Sequence, residues 1–285
     1  MSYVIYTDSS CDLTPDLLNE WGVKAVSLKF RFEGEDEHCD GDMTGSEFYA
    51  QMREGKVSKT AAANPDEFEE TFEKALPRGE DVLYIGFSSG LSNTFNSARI
   101  AGEALSEKYL ERKIVCVDTL GASAGQAMLV YMAVQKKNEG ASIEEAAEYV
   151  RENILSLCHW FTVDDLVYLK RGGRISATTA FIGGALQIKP VMHMDNEGHL
   201  VSVSKVRGRK ASIKALADKY FELSKDSEGM YFISHGDCID DAKLLESMIC
   251  EKNGKKCSVT VNVGPVIGSH SGPGTLALFF VGKER

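Results

Sequence analysis

Several common sequence signals are missing from this chain of 285 residues. No apolar run approaches the roughly 18–20 residues that a membrane span needs. The N-terminal stretch MSYVIYTDSS lacks the basic start and the apolar core of a secretory signal. The seven cysteines are odd in number, scattered and without a C-x-x-C pair, which argues against a disulfide framework and against a zinc ribbon. We therefore expect a cytoplasmic protein whose cysteines are free thiols.

Signals for nucleotide and metal binding are missing as well. The sequence contains no G-x-x-x-x-G-K-[ST] motif and no G-x-G-x-x-G after a predicted strand. The acidic stretch Glu33–Asp42 includes His38 and Cys39 but lacks the ligand spacing of an EF-hand or a zinc site, so we expect no metal and no cofactor. The formal net charge of -10 repels nucleic acid and anionic membranes, which leaves basic clusters only a local role.

The first half of the sequence alternates strands with helices. Buried strands are predicted at Tyr3–Thr7, Val82–Phe87 and Ile114–Val117, and each is followed by a loop and a helix. Alternating apolar residues predict a further strand at Ala25–Phe32. Strand, loop and helix in repetition indicate a parallel sheet covered by helices. We assign residues 1–158 to an α/β domain of this kind.

The pattern changes in the second half of the chain. Strands at Lys189–His193 and His199–Val206 flank the turn Asp195–Gly198, which predicts an antiparallel hairpin. Two amphipathic helices and further short strands follow. We assign residues 159–285 to an α+β domain. The predicted fold class is therefore α/β, with an N-terminal parallel-sheet domain joined to a C-terminal domain that has a mixed or antiparallel sheet.

The loop Ser88–Thr94 follows a buried strand and opens a helix. Such a loop directs free backbone N–H groups and the positive end of a helix dipole towards an anion, and ligands of parallel α/β sheets bind at the carboxyl ends of the strands. The alternative is that Ser92 or Asn93 only caps the helix. Ser92 is the candidate anion-binding hydroxyl, and its neighbours are candidate supports for the loop: Ser88, Ser89, Gly90, Asn93 and Thr94.

The same stretch contains a second motif, because Gly86–Gly90 matches the G-x-S-x-G pattern of serine hydrolases. Ser88 would be the nucleophile, and Asp165 with His235 or His270 follows it in a suitable chain order. No HGGG-like oxyanion motif precedes Ser88. A serine hydrolase is therefore the alternative function.

Two further segments offer polar groups to a ligand. Thr60 lies where the chain must turn before the predicted helix cap Asn64, so it is either a ligand hydroxyl or a turn residue. The segment Gly264–Gly274 is rich in glycine and proline and contains Ser269 and His270, which predicts tight turns and close backbone approach. A histidine held in such a loop can donate to an anion. The alternative is an ordinary histidine of a surface loop.

Two short basic runs interrupt the acidic chain, at Leu169–Ile175 and at Lys205–Lys210. Their arginines can bind a phosphate or an acidic partner. The alternative is that both runs are solvated helix ends. The candidate docking residues are Arg171, Arg174, Arg207 and Arg209.

Taken together, several segments resemble the DegV family, in the same order and over nearly the whole chain. They are Thr7–Leu13, Ser88–Ser92, Val117–Ser123, Leu169–Ser176, Lys205–Lys210 and Gly264–Gly274. Two departures are the stretch Thr60–Pro65, where many relatives have Thr-Ser-Gln-Pro, and Asn93, where a glycine is common.

The resemblance implies a long-chain fatty acid held between the two domains. It also implies that the protein is the fatty-acid-binding subunit of a bacterial fatty acid kinase, without catalytic activity of its own and with transient membrane contact for lipid exchange. The kinase partner phosphorylates the carboxylate. In the family a Thr, a Ser and a His contact the carboxyl group, and the matching positions here are Thr60, Ser92 and His270.

An acyl chain also needs apolar surface from the second domain. The candidate lining residues are Phe181, Ile182, Ala185, Leu186 and Ile188, with an ordinary core as their alternative role. A third hypothesis keeps the polar site but gives it some other small carboxylate or phosphate ligand.

Overall fold

The computed structural model describes residues 2–176, 187–226 and 229–285. Its first sheet is parallel and has the strand order β2-β1-β6-β7. The strands are β1 (Tyr3–Asp8), β2 (Val23–Val26), β6 (Asp81–Gly86) and β7 (Ile114–Asp118). The helices of this half are α1 (Pro15–Trp21), α2 (Gly45–Arg53), α3 (Pro65–Phe72), α4 (Thr94–Lys108), α5 (Ser123–Asn138) and α6 (Ile143–Ile154). The predicted parallel α/β arrangement is confirmed.

The second sheet has six strands in the order β10-β9-β8-β13-β11-β12. All neighbours are antiparallel except β11 and β12, so the predicted mixed sheet is confirmed. Its strands are β8 (Leu157–Thr162), β9 (Ile188–Met194), β10 (Leu200–Arg207), β11 (Tyr231–His235), β12 (Val259–Asn262) and β13 (Leu276–Val281). The helices of this half are α7 (Val167–Arg171), α8 (Arg209–Leu223), α9 (Ile239–Asn253) and α10 (Pro265–Ser271).

A small antiparallel sheet completes the described part of the chain, with β3 (Lys29–Phe32) between β4 (His38–Cys39) and β5 (Ser58–Ala61). The predicted single strand Ala25–Phe32 is therefore wrong. The chain leaves the parallel sheet after Val26 and enters the small sheet at Lys29. Between them, the Leu28 amide donates to Ser9 Oγ at 2.9 Å, which holds the chain at the point where it changes sheet.

Helix α5 lies between the two large sheets. Eleven of its residues are buried, and its apolar side chains share one core with Ile5 of β1 and Phe279 of β13. A helix that is apolar all round is buried on every side, and α5 thus joins the two halves. The expected division at residue 158 falls inside β8, and the two-domain division stays a prediction. No helix in the described ranges is long and apolar enough to cross a membrane.

Candidate functional site

A mainly apolar cavity lies where the carboxyl ends of the parallel strands face the six-stranded sheet. The space open to the centres of water molecules measures about 190 Å³. Its walls come from both halves of the chain. The apolar lining includes Leu28, Phe87, Leu91, Phe161, Leu169, Met194, Leu200, Val266, Ile267, Ala277 and Phe279.

The register of the second sheet explains part of this lining. Side chains alternate between the two faces of a strand, and Phe161 of β8 pairs with Ala277 of β13 while His159 pairs with Phe279. These four residues share the face that lines the cavity. The small side chain of Ala277 leaves space in the cavity wall between the larger aromatic side chains. These residues were not predicted to line a site, because LCHWFT and LALFFV are nearly continuous apolar runs without the alternation that would distinguish one face.

Thr60 and His270 meet at one end of the cavity, where Thr60 Oγ1 is 2.8 Å from His270 Nε2. Thr60 lies in strand β5 rather than in a turn, and His270 lies in the last turn of α10 rather than in a loop. Pro265 fits the first helical position, where no N–H is needed. Ser269 docks α10 on β5, because its Oγ is 2.7 Å from Ser58 Oγ.

Ser92 lines the same cavity. Its Oγ is 2.9 Å from Thr94 Oγ1 and accepts from the Thr94 amide at 3.2 Å. A hydroxyl has one proton to donate and two lone pairs. When His270 Nε2 donates to Thr60 and Thr94 donates to Ser92, both hydroxyls keep their own protons for an acceptor in the cavity.

The charge at this end comes from Arg174 rather than from His270. Burial, together with the nearby Arg174 guanidinium, lowers the pKa of His270 to about 4, so the imidazole is neutral at pH 7. Arg174, a candidate residue for docking a partner, lines the cavity. Its guanidinium donates to Leu91 O at 3.0 and 3.2 Å and also to Gly172 O. One cation therefore lines the cavity together with the two hydroxyls, which suits an anion.

Most backbone amides of the loop after β6 are engaged within the protein and are not free to bind a ligand. The amides of Leu91 and Ser92 both donate to Ser88 O, and the Ser89 amide donates to Asp118 Oδ1 at 3.2 Å. The Gly90 amide donates to Ser88 Oγ at 3.2 Å. Within this loop, Leu91, Ser92 and Asn93 line the cavity, whereas Ser88, Ser89, Gly90 and Thr94 are not among the lining residues.

Ser88 lacks the environment of a nucleophile. It is fully buried, and its Oγ donates to Gly198 O at 2.9 Å. The triad candidates are engaged elsewhere: His235 Nδ1 accepts from the Cys238 amide at 3.3 Å, and Asp165 Oδ1 accepts from the Val167 amide at 2.9 Å. Helix α4 begins six residues after Ser88, which differs from the sharp strand-to-helix turn of a nucleophile elbow.

The predicted docking arginines lie in different environments. Arg171 and Arg207 are exposed, and the Arg171 guanidinium lies 5.7 Å from the centre of the Tyr168 ring. Arg209 pairs with Asp241 at 2.8 Å and with Asp164 at 3.7 Å, so its charge is largely matched within the protein.

Four of the predicted tail-lining residues, Phe181, Ile182, Ala185 and Leu186, lie outside the described residues. Ile188 begins β9, is half-buried and is not among the cavity-lining residues that the structure describes. Among those same described residues, no cluster of three or more His, Cys, Asp or Glu side chains could hold a metal ion.

Comparisons with known proteins agree with one another over the full chain. The family described as "Uncharacterised protein, DegV family" matches residues 2–283. A DegV domain-containing protein of Clostridium perfringens is 43% identical over 289 residues, covering 99% of this chain and 98% of the relative. Among solved structures, a stearic acid-binding protein from Eubacterium ventriosum has a TM-score of 0.89 and 26% identity, with 99% and 98% of the two chains covered. A fatty-acid-binding DegV family protein from Thermus thermophilus has a TM-score of 0.87 and 28% identity, with 99% and 100% covered.

Proposed function

This chain belongs to the DegV family, and we propose that it binds one long-chain fatty acid in the cavity and presents the carboxylate to a fatty acid kinase partner. The protein itself acts as a carrier and catalyses no reaction. The observation that carries this proposal is an apolar cavity whose lining includes two hydroxyls, those of Thr60 and Ser92. Fatty acid binding by the Eubacterium and Thermus relatives supports it.

The apolar walls suit an acyl chain. A sixteen-carbon chain has about fourteen CH₂ groups, and burying each contributes roughly 0.8 kcal/mol, or about 11 kcal/mol in total. Association costs several kcal/mol of that. The remainder is ample for tight binding, provided that the carboxylate is also matched by donors.

The polar end supplies those donors. The Thr60 and Ser92 hydroxyls each direct a proton to one carboxylate oxygen, and the Arg174 guanidinium supplies the positive charge. His270 acts through Thr60, whose Oγ1 is 2.8 Å from Nε2: with the ring proton on Nε2, the imidazole donates to this hydroxyl and leaves the threonine proton for the ligand. The role of His270 in this proposal is therefore to orient a hydroxyl rather than to pair with the carboxylate.

The finer parts of the proposal concern location and partners. Free cysteines are typical of the reducing cytoplasm, and all seven cysteines are free, which supports a cytoplasmic carrier that loads by transient membrane contact. The lipid lies between two domains, because both halves of the chain contribute cavity walls. The exposed arginines Arg171 and Arg207 dock the kinase partner or its nucleotide phosphates.

Two hydroxyl-deleting variants test the binding site. Thr60→Val and Ser92→Ala each remove one hydrogen bond to a charged group, worth roughly 1.5–3 kcal/mol, so fatty acid affinity should fall about ten- to a hundredfold. Titration calorimetry with palmitate measures this loss. Ser106→Ala is the matched control, because its hydroxyl donates to Gly102 O within helix α4 and should leave affinity unchanged.

Two further measurements address the alternatives. Native mass spectrometry of gently purified protein should show a retained long-chain fatty acid, and its absence together with undetectable palmitate binding would contradict the carrier. A fluorophosphonate probe should leave Ser88 unlabelled. Esterase activity that disappears in Ser88→Ala would instead establish the hydrolase.

A further inference from the structure

The turn of the β9–β10 hairpin is docked on the first half of the chain and forms part of the cavity wall. Met194 and Leu200 pair directly across the base of this turn, and both line the cavity. Met194 is buried in the core cluster of the first half, together with Phe87 and Ala122. Moving the hairpin tip, residues 194–200, would therefore open the cavity along its side.

Two side chains latch this tip through backbone carbonyl groups. Ser88 Oγ donates to Gly198 O at 2.9 Å. The Arg285 guanidinium donates through one nitrogen to Leu120 O at 2.9 Å and to Asp195 O at 3.0 Å, and Nε donates to Leu157 O at 3.1 Å. Arg285 thereby ties the hairpin turn to the loop after β7 and to strand β8.

Glycine permits the close approach on both sides of the latch. A Cβ atom on Gly90 would lie 2.7 Å from Glu197 O and 2.8 Å from Gly198 O. A Cβ atom on Gly198 would lie 2.2 Å from Ser88 Oγ. A side chain at Gly90 would require the backbone of the tip to move, and one at Gly198 would displace the Ser88 hydroxyl from the latch.

Away from the latch, the tip is weakly tied to its own sheet. Strand β9 pairs with β8 through two residue pairs, Trp160 with His193 and Phe161 with Met192, whereas β8 and β13 share six pairs. The β9–β10 register shifts between Ser202 and Ser204, and a bulge lets a strand bend locally. The two pairs to β8 lie between this bulge and the tip, so a tip that tilts at the bulge has only these two residue pairs of the sheet to break.

We propose that the β9–β10 tip is a gate for the acyl chain, held closed by Ser88 and Arg285. This proposal rests on the proposed function, because a gate needs a lipid to admit. Most of the apolar lining is buried, so a long chain reaches it more readily when a wall moves, and among the described elements this tip has cavity-facing residues and polar ties that can be released. The gate also explains why the loop after β6 contains Ser88 and Gly90.

Exchange kinetics test the gate directly. The protein is loaded with a fluorescent polyene fatty acid, and its release to excess phosphatidylcholine vesicles is followed by stopped flow. Uptake by the ligand-free protein is measured in the same way. Ser88→Ala removes one neutral hydrogen bond and should accelerate release about fivefold, and Arg285→Met removes charged donors and should accelerate it about tenfold or more. Both variants favour the open state from which lipid enters and leaves, so uptake should accelerate similarly and Kd should stay within about threefold.

Matched controls remove the same chemistry elsewhere. Ser106→Ala deletes a hydroxyl inside α4, and Arg112→Met deletes a guanidinium that donates to Gly79 O, remote from the cavity lining. Neither should change the exchange rates. Hydrogen exchange should also show faster amide exchange at residues 195–199 in the two latch variants, with the β8–β13 ladder unchanged.

The outcomes separate the gate from the carrier. Unchanged release in both latch variants, with normal binding by the wild type, overturns the gate alone. Faster release with unchanged uptake and a proportionally weaker Kd also overturns it, because only the bound state would then have been loosened. A wild type that binds no fatty acid overturns both the gate and the carrier.

Discussion

Gly172 should be indispensable for the carboxylate site although it touches no ligand. It follows α7 in an ordinary helical conformation, with φ of -71°, so alanine meets no backbone strain there. A Cβ atom at this position would lie 2.1 Å from His270 Nδ1 and 3.1 Å from two ring carbons. Non-bonded heavy atoms need about 3.5 Å, so Gly172→Ala must displace the imidazole by roughly 1 Å or more.

That displacement should break the site in a predictable way. The Thr60–His270 contact of 2.8 Å would lengthen beyond hydrogen-bond range, and Thr60 would lose the donor that orients its proton. We expect palmitate affinity to fall about ten- to a hundredfold, the equivalent of one hydrogen bond to a charged group. Titration calorimetry measures the loss, and thermal unfolding checks that the fold persists.

A control and a double variant make the test specific. Gly45→Ala adds the same methyl group 3.5 Å from Asn262, an ordinary contact, and should bind as the wild type does. In a His270→Ala background the added methyl group has no imidazole to displace. Adding Gly172→Ala to this background should therefore change palmitate affinity by less than about twofold. Wild-type affinity in the single variant, or full additivity in the double variant, would refute the reasoning.

Two other predictions concern charge. Burial raises the pKa of Asp40 to about 7, so the folded state keeps a proton that the unfolded chain releases from about pH 4. The free energy of unfolding should therefore fall by at most about 4 kcal/mol as the pH rises from 4 to 7. Urea unfolding of Asp40→Asn should show a weaker dependence on pH. If the variant depends on pH as the wild type does, Asp40 is not the cause of the dependence. Charge reversal in Arg171→Glu or Arg207→Glu should weaken phosphoryl transfer by a kinase partner while palmitate affinity stays unchanged, with Arg99→Glu in helix α4 as the control. Loss of palmitate binding would identify these arginines as ligand residues instead.

Local signals in the sequence were sufficient for the main elements of the fold. The helix starts at Thr44, Asn64 and Ser142 each form the reciprocal capping box that the side-chain spacing indicates. Strand β13 covers Leu276–Val281 as the apolar run suggested. These features depend on residues within a few positions of one another, which is why the sequence alone reveals them.

Features that depend on distant neighbours were missed. The segment Gly264–Gly274 suggested a loop because its glycines are frequent, yet Pro265–Ser271 is a helix. Gly268 is needed inside it because a Cβ atom there would lie 2.5 Å from the Tyr49 hydroxyl. Likewise, Gly172 belongs to the basic run Leu169–Ile175, which suggested a docking segment or a solvated helix end, and no neighbouring residue indicates that His270 packs against it. These contacts join residues that are far apart in the sequence, so no pattern of neighbouring residues indicates them.

The G-x-S-x-G stretch is the opposite case, because here a local motif is present but packing explains its residues. A Cβ atom on Gly86 would lie 2.4 Å from the Tyr84 ring, and Gly90 approaches the carbonyl groups of the hairpin turn. Between them, Ser88 donates to Gly198 O across 110 residues of sequence. A nucleophile needs an exposed hydroxyl and a neighbouring base, whereas Ser88 and Gly90 contact the hairpin turn and Gly86 packs against the Tyr84 ring of its own strand. The motif therefore follows from packing, and the chemistry of the cavity has to be inferred from Thr60, Ser92 and the residues around them.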